Sequence, residues 1–351
     1  MSDGLPTVTL YILFFLGFVV ASILLQRRGS VVQMIWLVCW ILTVLLIGFR
    51  HEIGTDWPNY MSIWDGQGDS FLSALLHAEP AYYILMYLVK KMNLTIHWLN
   101  LLTSFIAITP VFYFSYRQKN KWIALMSLVT VLFIISYIGY ARQAPAIGLS
   151  IWATFRFLDK KFSSCFLILV TASLFHNSAI ILIAVFSGFV LLQARGKYRF
   201  MVLALAAVIW MSYAQRLADR ITSYFDWGLV SMGALPRIVL VDIALIIGII
   251  FRKALFISRF ERDFMLYFCC CGILVSSLVF LDSVMADRLI LYWLVIQIVV
   301  YGNLSSITVN NDYRVLSLVS IAAVNLSVLL VWLVYGTFSR DWIPYKNFLF
   351  S

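Results

Sequence analysis

Long apolar stretches separated by short polar ones run through the whole of this 351-residue chain. Each stretch has about 15–20 residues, close to the length that crosses a bilayer as a helix, and none alternates as barrel strands do. The pattern predicts an all-α polytopic integral membrane protein with about twelve transmembrane helices. The predicted spans are 8–25, 31–49, 97–115, 122–140, 143–158, 162–176, 178–193, 200–214, 236–251, 264–281, 288–303 and 315–334.

One further apolar stretch, Pro80 to Met92, is too short to cross a bilayer. We expect it to form a short re-entrant or interfacial helix within a large loop, residues 50–96. The loop is expected to act as a lid. No stretch elsewhere is long and polar enough for a soluble domain, so residues 1–351 are expected to form a single helical membrane domain.

Composition agrees with the pattern, because 63% of the residues are hydrophobic and only 12% are charged. Lysine and arginine concentrate in alternate loops, which the positive-inside rule assigns to the cytoplasm. Both termini and the loop 50–96 then face outward. The basic residues of these cytoplasmic loops are Arg27, Arg28, Arg117, Lys119, Lys121, Lys160, Lys161, Arg195, Lys197, Arg199, Arg252, Lys253, Arg259 and Arg262.

Lys90 and Lys91 depart from this pattern. Making Pro80–Met92 a full span would bring them inside, but it would move the later basic clusters outside, so we reject that topology. The formal charge of +10 is thus mostly a topological signal and does not imply nucleic acid as a partner.

The sequence indicates no cofactor. The five cysteines lie inside predicted spans, where thiols act as small apolar side chains and form no disulfide framework. We find no metal-ligand spacing, no P-loop and no dinucleotide fingerprint, so neither a metal nor an organic cofactor is expected. The cysteines are Cys39, Cys165, Cys269, Cys270 and Cys271.

Four arginines stand at outward-facing ends of predicted spans, where topology does not favour positive charge. Each one alone could reach lipid headgroups by snorkelling. Four from separate helices at one membrane face instead favour a phosphate site, because guanidinium groups grip phosphate bidentately. The four are Arg50, Arg142, Arg237 and Arg288.

Acidic residues gather at the same face. Asp56 stands between Gly54, which permits a tight backbone, and Pro58, which stiffens the following chain, so it is a positioned acid. Glu79 precedes Pro80 at the start of the short helix, where it can serve as a helix cap or as a functional acid. Further acids there are Glu52, Asp65, Asp69 and Asp287, of which Asp65 and Asp69 are expected to be merely solvated.

Two other ionisable residues need an explanation. His176 lies at the outward junction of the sixth and seventh spans, where it can cap a helix, bind phosphate or act as a base. Asp242 lies nearly two turns inside the ninth span. Acids at that depth are costly and usually paired, so we expect an arginine partner for it.

In this order the residues resemble the EpsG family, which belongs with the Wzy-type polysaccharide polymerases of bacteria. The resemblance runs from about Arg50 to the C-terminus. The matching positions are Arg50, Gly54, Thr55, Asp56, Trp57 and Tyr60; Glu79, Pro80 and Tyr82; Arg142 and Gln143; His176, Ser178 and Ala179; Gly233 and Arg237; Arg288 and Tyr292; and Pro344 with Tyr345.

The resemblance implies a membrane glycosyltransferase for O-antigen, capsule or exopolysaccharide. It would act at the outer face of the bacterial cytoplasmic (inner) membrane on undecaprenyl-pyrophosphate-linked oligosaccharides, which serve as donor and acceptor. The acceptor hydroxyl attacks the anomeric carbon of the growing glycan, and the polyprenyl pyrophosphate leaves. A chain-length co-polymerase is a candidate protein partner, and membrane lipid surrounds the chain.

Residue roles follow from combining the resemblance with the chemistry of each side chain. Arg50, Arg142, Arg237 and Arg288 are expected to bind pyrophosphate. Asp56, Glu79 and His176 are candidates for the base, and the choice among them stays open. The loop 50–96 would also contact glycan. Sugar contacts are expected from Trp57, Tyr60, Tyr82, Gln143 and Tyr292.

Other functions are less consistent with the sequence. A flippase of lipid-linked oligosaccharides should line a midplane cavity with polar or broken helices, whereas here the polar groups crowd one face. A membrane acyltransferase would need a cytoplasm-fed acyl site, which His176 does not suit. An O-antigen-type ligase uses nearly the same chemistry as a polymerase and remains an alternative.

Overall fold

The computed structural model describes residues 5–26, 29–66, 68, 70–193, 231, 233–256, 258–304, 307 and 311–350. Over these residues the regular structure is helical, without a strand, which confirms the all-helical class. The α-helices in chain order are α1 Leu5–Leu24, α2 Ser30–Gly48, α3 Trp57–Gly66, α4 Phe71–Leu75, α5 Pro80–Lys91, α6 Ile96–Tyr116, α7 Lys121–Leu128, α8 Gln143–Leu158, α9 Phe162–Phe175, α10 Ile180–Gln193, α11 Ala234–Ile250, α12 Arg252–Leu255, α13 Arg259–Ser277, α14 Ser283–Ile290, α15 Val295–Gly302 and α16 Asn311–Tyr335.

Four of the described helical stretches are long and apolar enough to cross a membrane, and a bent pair from Ser283 to Gly302 makes up to five. The other apolar helices are shorter, so the predicted number of twelve is not confirmed. The predicted span 200–214 lies outside the described residues, as do Arg27, Arg28, Asp69, Arg195, Lys197 and Arg199. The four long stretches are Ser30–Gly48, Ile96–Tyr116, Arg259–Phe280 and Arg314–Tyr335.

The short apolar stretch forms α5, a 12-residue helix with Pro80 in its first turn. It packs beside α6 and α9. Proline is favoured there, because the first helical amide has no partner within the helix. The predicted short helix is therefore present.

A close approach between α6 and α8 holds the centre of the bundle together. A β-carbon added to Gly148 would lie 2.5 Å from the carbonyl oxygen of Ala107, so only glycine fits there. Helices in membranes associate largely through such small-residue contacts, which let the two backbones pack closely.

The helix that begins as α7 continues from Val129 to Tyr137 as a π-helix, and all nine residues are buried. The indole N–H of Trp342 donates to the Ile134 carbonyl at 3.0 Å. Thr130 likewise donates to the carbonyl of Asn325 at 3.1 Å. Such widened turns are frequent at functional sites, and this one leads directly into the segment before α8.

The C-terminal segment, residues 336–350, folds back onto the end of α2. The amide of Phe348 donates to the Phe49 carbonyl at 2.8 Å, and that of His51 donates to the Lys346 carbonyl at 3.1 Å. The amide of Gly54 donates to the backbone carbonyl of Asp341 at 2.9 Å. These bonds attach the segment to the start of the loop 50–96. We call this end of the bundle the site end.

Among the described residues no arginine pairs with Asp242, so the expected arginine partner is not found in this part of the chain. The Asp242 carboxylate accepts a hydrogen bond of 2.6 Å from the hydroxyl of Ser276 on α13. A hydroxyl donor on a neighbouring helix satisfies one carboxylate oxygen without a second buried charge.

We predict that Gly148→Ala lowers the thermal stability of the detergent-purified protein. The added methyl overlaps backbone atoms of α6, and overpacking of this kind costs roughly 1–3 kcal/mol. The matched control is Gly17→Ala in α1, where an added β-carbon meets nothing within 4 Å. Equal unfolding midpoints for the two variants would contradict the role given to the α6–α8 contact.

Candidate functional site

Helix ends bring the candidate residues together at the site end. Arg50 follows α2, Arg142 precedes α8, and His176 follows α9. Arg237 lies in the first turn of α11 and Arg288 in the last turn of α14. Four arginines from separate helices thus occur at this end, as the sequence indicates.

A cavity of about 550 Å³ opens at the site end. Its polar lining has two acids and two arginines, Asp56, Asp287, Arg237 and Arg288, together with Thr55. The opposite wall is largely apolar and comes from α16 and the segment after it. That wall includes Val328, Val331, Trp332, Tyr335, Phe338 and Trp342.

Asp56 is held by a tight backbone. Gly54 has φ +96°, a conformation that glycine adopts without strain, and its backbone lies against Gly139. Burial raises the pKa of the Asp56 carboxyl, while the charges of Arg288 and Arg142 partly oppose the rise. No described cation lies within ion-pair distance of this carboxylate. Asp56 is therefore an acid suited to accepting a proton inside the cavity.

Glu79 has a different setting, although it stands at the N-cap position of α5. Its side chain does not cap that helix. One carboxylate oxygen pairs with Arg142 at 2.8 Å, and the other faces the amide of Asn177 at 3.4 Å and Nε2 of His176 at 3.9 Å. The Glu79 side chain is nearly buried, so this ion pair joins α5, α8 and the junction after α9.

His176 belongs to a chain of hydrogen bonds that leads away from Glu79. Its Nδ1 lies 2.6 Å from the hydroxyl of Ser178, which in turn lies 2.8 Å from the hydroxyl of Tyr292. Nδ1 also accepts from the amide of Ser178, so His176 caps the short helical turn that follows it. A capping role is one of those considered for His176 from the sequence. These contacts fix the imidazole in place beside Glu79.

The second ion pair of the site forms part of the cavity wall. Arg237 and Asp287 are both nearly buried, and one guanidinium nitrogen of Arg237 contacts Oδ2 of Asp287. The Ser231 hydroxyl donates to the same oxygen at 3.0 Å. Within the described part of the chain, Oδ1 of Asp287 has no hydrogen-bond partner.

Gln143 connects the two halves of the site. Its side-chain amide donates to the backbone carbonyl of Arg288 at 2.7 Å, and Gln143 itself is buried. This bond fixes the end of α14, and with it Arg288, relative to the start of α8. A direct contact between Gln143 and sugar stays a prediction.

Arg50 lies apart from the cavity. It is 2% exposed, donates to the Ile47 carbonyl at 2.8 Å and reaches Asn100 at 3.5 Å. The rings of Tyr60 and Tyr82 stand near both Arg50 and Arg142. The structure thus brings Arg237 and Arg288 to the cavity, pairs Arg142 with Glu79, and buries Arg50 near the two tyrosines.

The aromatic residues chosen from the sequence are not the ones that line the cavity. Trp57 packs against His51 and His97, with ring centroids 5.8 and 5.9 Å away. Tyr60, Tyr82 and Tyr292 are buried beside the ion pairs. The aromatic rings lining the described cavity are Tyr140, Trp332, Tyr335, Phe338 and Trp342.

Only two of these aromatic residues lie close to motifs that can be recognised in the sequence. Tyr140 stands two residues before Arg142, and Trp342 lies just before the motif Pro344–Tyr345. Trp332 and Tyr335 look like ordinary apolar residues of a membrane helix. Their part in the cavity becomes apparent only when α16 is packed beside the π-helix.

A comparison with known families matches residues 33–347 to the EpsG family. The match covers most of the chain and includes every candidate residue of the site. Comparisons with curated proteins and with solved structures found no match.

We predict that Glu79→Gln destabilises the protein by about 1–3 kcal/mol, because it leaves the half-buried Arg142 without a counter-charge. Thermal unfolding in detergent measures this loss. The matched control is Glu52→Gln, which breaks the exposed pair of Glu52 with Lys346 and should change the unfolding midpoint little, because solvent screens such surface pairs. Equal losses would show that the buried pair does not hold the site together.

We predict that Asp56→Asn raises the unfolding midpoint at pH 7. A carboxyl whose pKa is raised by folding contributes stability below its unfolded pKa, and that stability is lost as pH rises through the folded pKa. At neutral pH the buried carboxylate is therefore a cost to the folded state, and Asp56→Asn removes that cost. In acid the wild-type carboxyl is protonated, so the difference in unfolding midpoint should vanish. Asp65→Asn, at an exposed position, is the control. A lower midpoint for Asp56→Asn at pH 7 would contradict the placement of a desolvated acid here.

Proposed function

The chain belongs to the EpsG family of polysaccharide-biosynthesis polymerases, and we propose that it joins undecaprenyl-pyrophosphate-linked repeat units in the Asp56 cavity. The growing glycan would be the donor and the incoming lipid-linked repeat unit the acceptor. The observation that carries this proposal is one cavity with a desolvated acid, arginine charge and an aromatic, apolar wall.

In the proposed reaction Asp56 is the base. Its carboxylate takes the proton of the acceptor hydroxyl as that oxygen attacks the anomeric carbon of the donor. The bond between this carbon and the pyrophosphate oxygen breaks, and the electron pair leaves with polyprenyl pyrophosphate. A carboxyl with a raised pKa suits this role, because it is a stronger base than an exposed aspartate.

Arg288 is the residue we assign to the departing pyrophosphate. It lines the cavity beside Asp56, and a fixed cation in a site shielded from water stabilises negative charge as it develops. Gln143 supports this role by holding the backbone of Arg288.

The two ion pairs are assigned to building the site. Arg142 adds positive potential near Asp56 while remaining paired with Glu79. Arg237 remains paired with Asp287 in the cavity wall. Sugar faces would stack on the rings of Trp332 and Trp342, since the flat apolar faces of aromatic side chains suit such contacts.

The remaining parts of the proposal concern place and partners. Arginines and acids at one end of a membrane bundle suit a substrate whose pyrophosphate lies at headgroup level. We assign that end to the outer face of the bacterial cytoplasmic membrane, with the loop 50–96 as a lid over the glycan. A chain-length co-polymerase is the candidate protein partner.

The test of the function is a polymerisation assay with purified protein, its cognate undecaprenyl-pyrophosphate repeat unit and EDTA. We expect a ladder of lengthening glycans on a gel. Movement of the same lipid across liposome membranes without a ladder would contradict the polymerase assignment and favour a flippase. Transfer of one glycan to a different acceptor without lengthening would favour a ligase.

We predict that Asp56→Asn lowers the rate of ladder formation on the order of 100-fold or more, the contribution expected of a general base. In the wild type the rate should rise as pH increases through the raised pKa of Asp56, because the base acts only when ionised. Asp56→Asn should lack this rise. Asp65→Asn should retain activity. A different result would identify Glu79 as the base: Asp56→Asn stays active, and folded Glu79→Gln loses the rise of the rate with pH.

A further inference from the structure

A second large opening, which we call the N-terminal groove, lies between α1 and α2. It has a volume of about 810 Å³ and an apolar lining along its length. Leu13, Phe14 and Gly17 of α1 face Leu42 and Leu46 of α2 across it. One end is closed by Trp122, and the other end is bordered by the C-terminal segment from Tyr345 to Phe350.

The groove exists because α1 and α2 pack against different neighbours. Helix α1 lies against α7 and the π-helix that follows it, whereas α2 lies against α6. Trp36 of α2 stacks edge-on against Phe112 of α6 at 5.3 Å. Gly17 leaves the middle of the groove wide, because a β-carbon there would meet nothing within 4 Å.

Hydrocarbon is the material that fits such an opening. Helix α2 is long and apolar enough to cross a membrane, so the groove beside it lies at membrane depth. Water would gain few hydrogen bonds from walls of leucine and phenylalanine, and apolar cavities exclude it. The polar end, at Lys346 and Asn347, suits the head group of an amphiphile. Lys346 pairs there with the exposed Glu52. Such surface ion pairs are weak, so a phosphate head group can replace Glu52 as the partner of Lys346.

The groove adjoins the Asp56 cavity across the C-terminal segment. Phe338 and Trp342 line the cavity, whereas Tyr345 and Lys346 line the groove. Two residues, Ile343 and Pro344, separate Trp342 from Tyr345, so these two lie at most about 11 Å apart along the chain. The polar end of the groove therefore lies beside the cavity and is separated from it by a thin wall.

We propose that the N-terminal groove binds the hydrocarbon chain of the acceptor, the polyprenyl-linked substrate that keeps its lipid. This inference rests on the proposed function, since transfer between two lipid-linked glycans requires two lipids at once. The acceptor reacts through a hydroxyl at the far end of its glycan. Its lipid must accordingly lie apart from Asp56 but at the same face of the membrane, and the groove meets both conditions.

The test uses a polyprenyl phosphate that carries a diazirine midway along its chain and has no glycan. On irradiation we expect labelling of α1 and α2 residues that line the groove, and excess unlabelled polyprenyl phosphate should compete. A β-carbon at position 17 meets nothing within 4 Å, so Gly17→Phe can place its ring in the groove and should reduce labelling at least about tenfold. Ile23→Phe, at an exposed position about 120° around α1 from Gly17, should not. Leu42→Trp repeats the test from the opposite wall.

Two readouts separate this inference from the proposed function. Labelling needs no turnover, so it is measured in the wild type and in Asp56→Asn alike. In the polymerisation assay Gly17→Phe should raise KM for the acceptor and leave kcat unchanged. Labelling that is spread evenly around α1 and resists competition, together with a normal ladder from Gly17→Phe, would overturn the groove and leave the function standing. Competed labelling with no ladder would overturn the function and, with it, the acceptor assignment.

Discussion

The ion pair between Glu79 and Arg142 is the interaction on which the site end depends. Its nearly buried carboxylate joins three segments that are distant in sequence: the start of α5, the start of α8 and the junction after α9. A buried carboxylate is costly unless it is paired and hydrogen-bonded, so the three segments can leave one another only at a high cost in free energy. The geometry around Asp56 is built on this arrangement.

The charged residues of the site have two different roles. Glu79 with Arg142 and Asp287 with Arg237 satisfy each other and shape the walls. Asp56 keeps a carboxylate that no described cation pairs, in surroundings that raise its pKa. Carboxyl groups with a raised pKa are common at catalytic sites. The desolvation that destabilises the charged carboxylate also makes this carboxylate a stronger base. The paired groups thus stabilise a site whose proposed base, Asp56, is itself energetically unfavourable.

Local signals in the sequence predicted local structure well. Gly54 before Asp56 indicated a tight backbone and has a positive φ, and Pro80 indicated the start of a short helix. Long-range arrangements could not be read in the same way. Nothing local shows that the C-terminal segment returns to Phe49, that Arg50 is buried near two tyrosines, or that a serine donates to Asp242. These depend on which helices become neighbours, and apolar helices of similar hydropathy give little information about that choice.

The most direct measurement of the central claim is an experimental structure of the protein with undecaprenyl pyrophosphate bound. The two phosphates should lie in the Asp56 cavity against the guanidinium group of Arg288, with the ion pairs at Glu79 and Asp287 intact. Phosphates bound instead at Arg50, after a rearrangement that breaks the pair between Glu79 and Arg142, would contradict the division between groups that build the site and the groups that react.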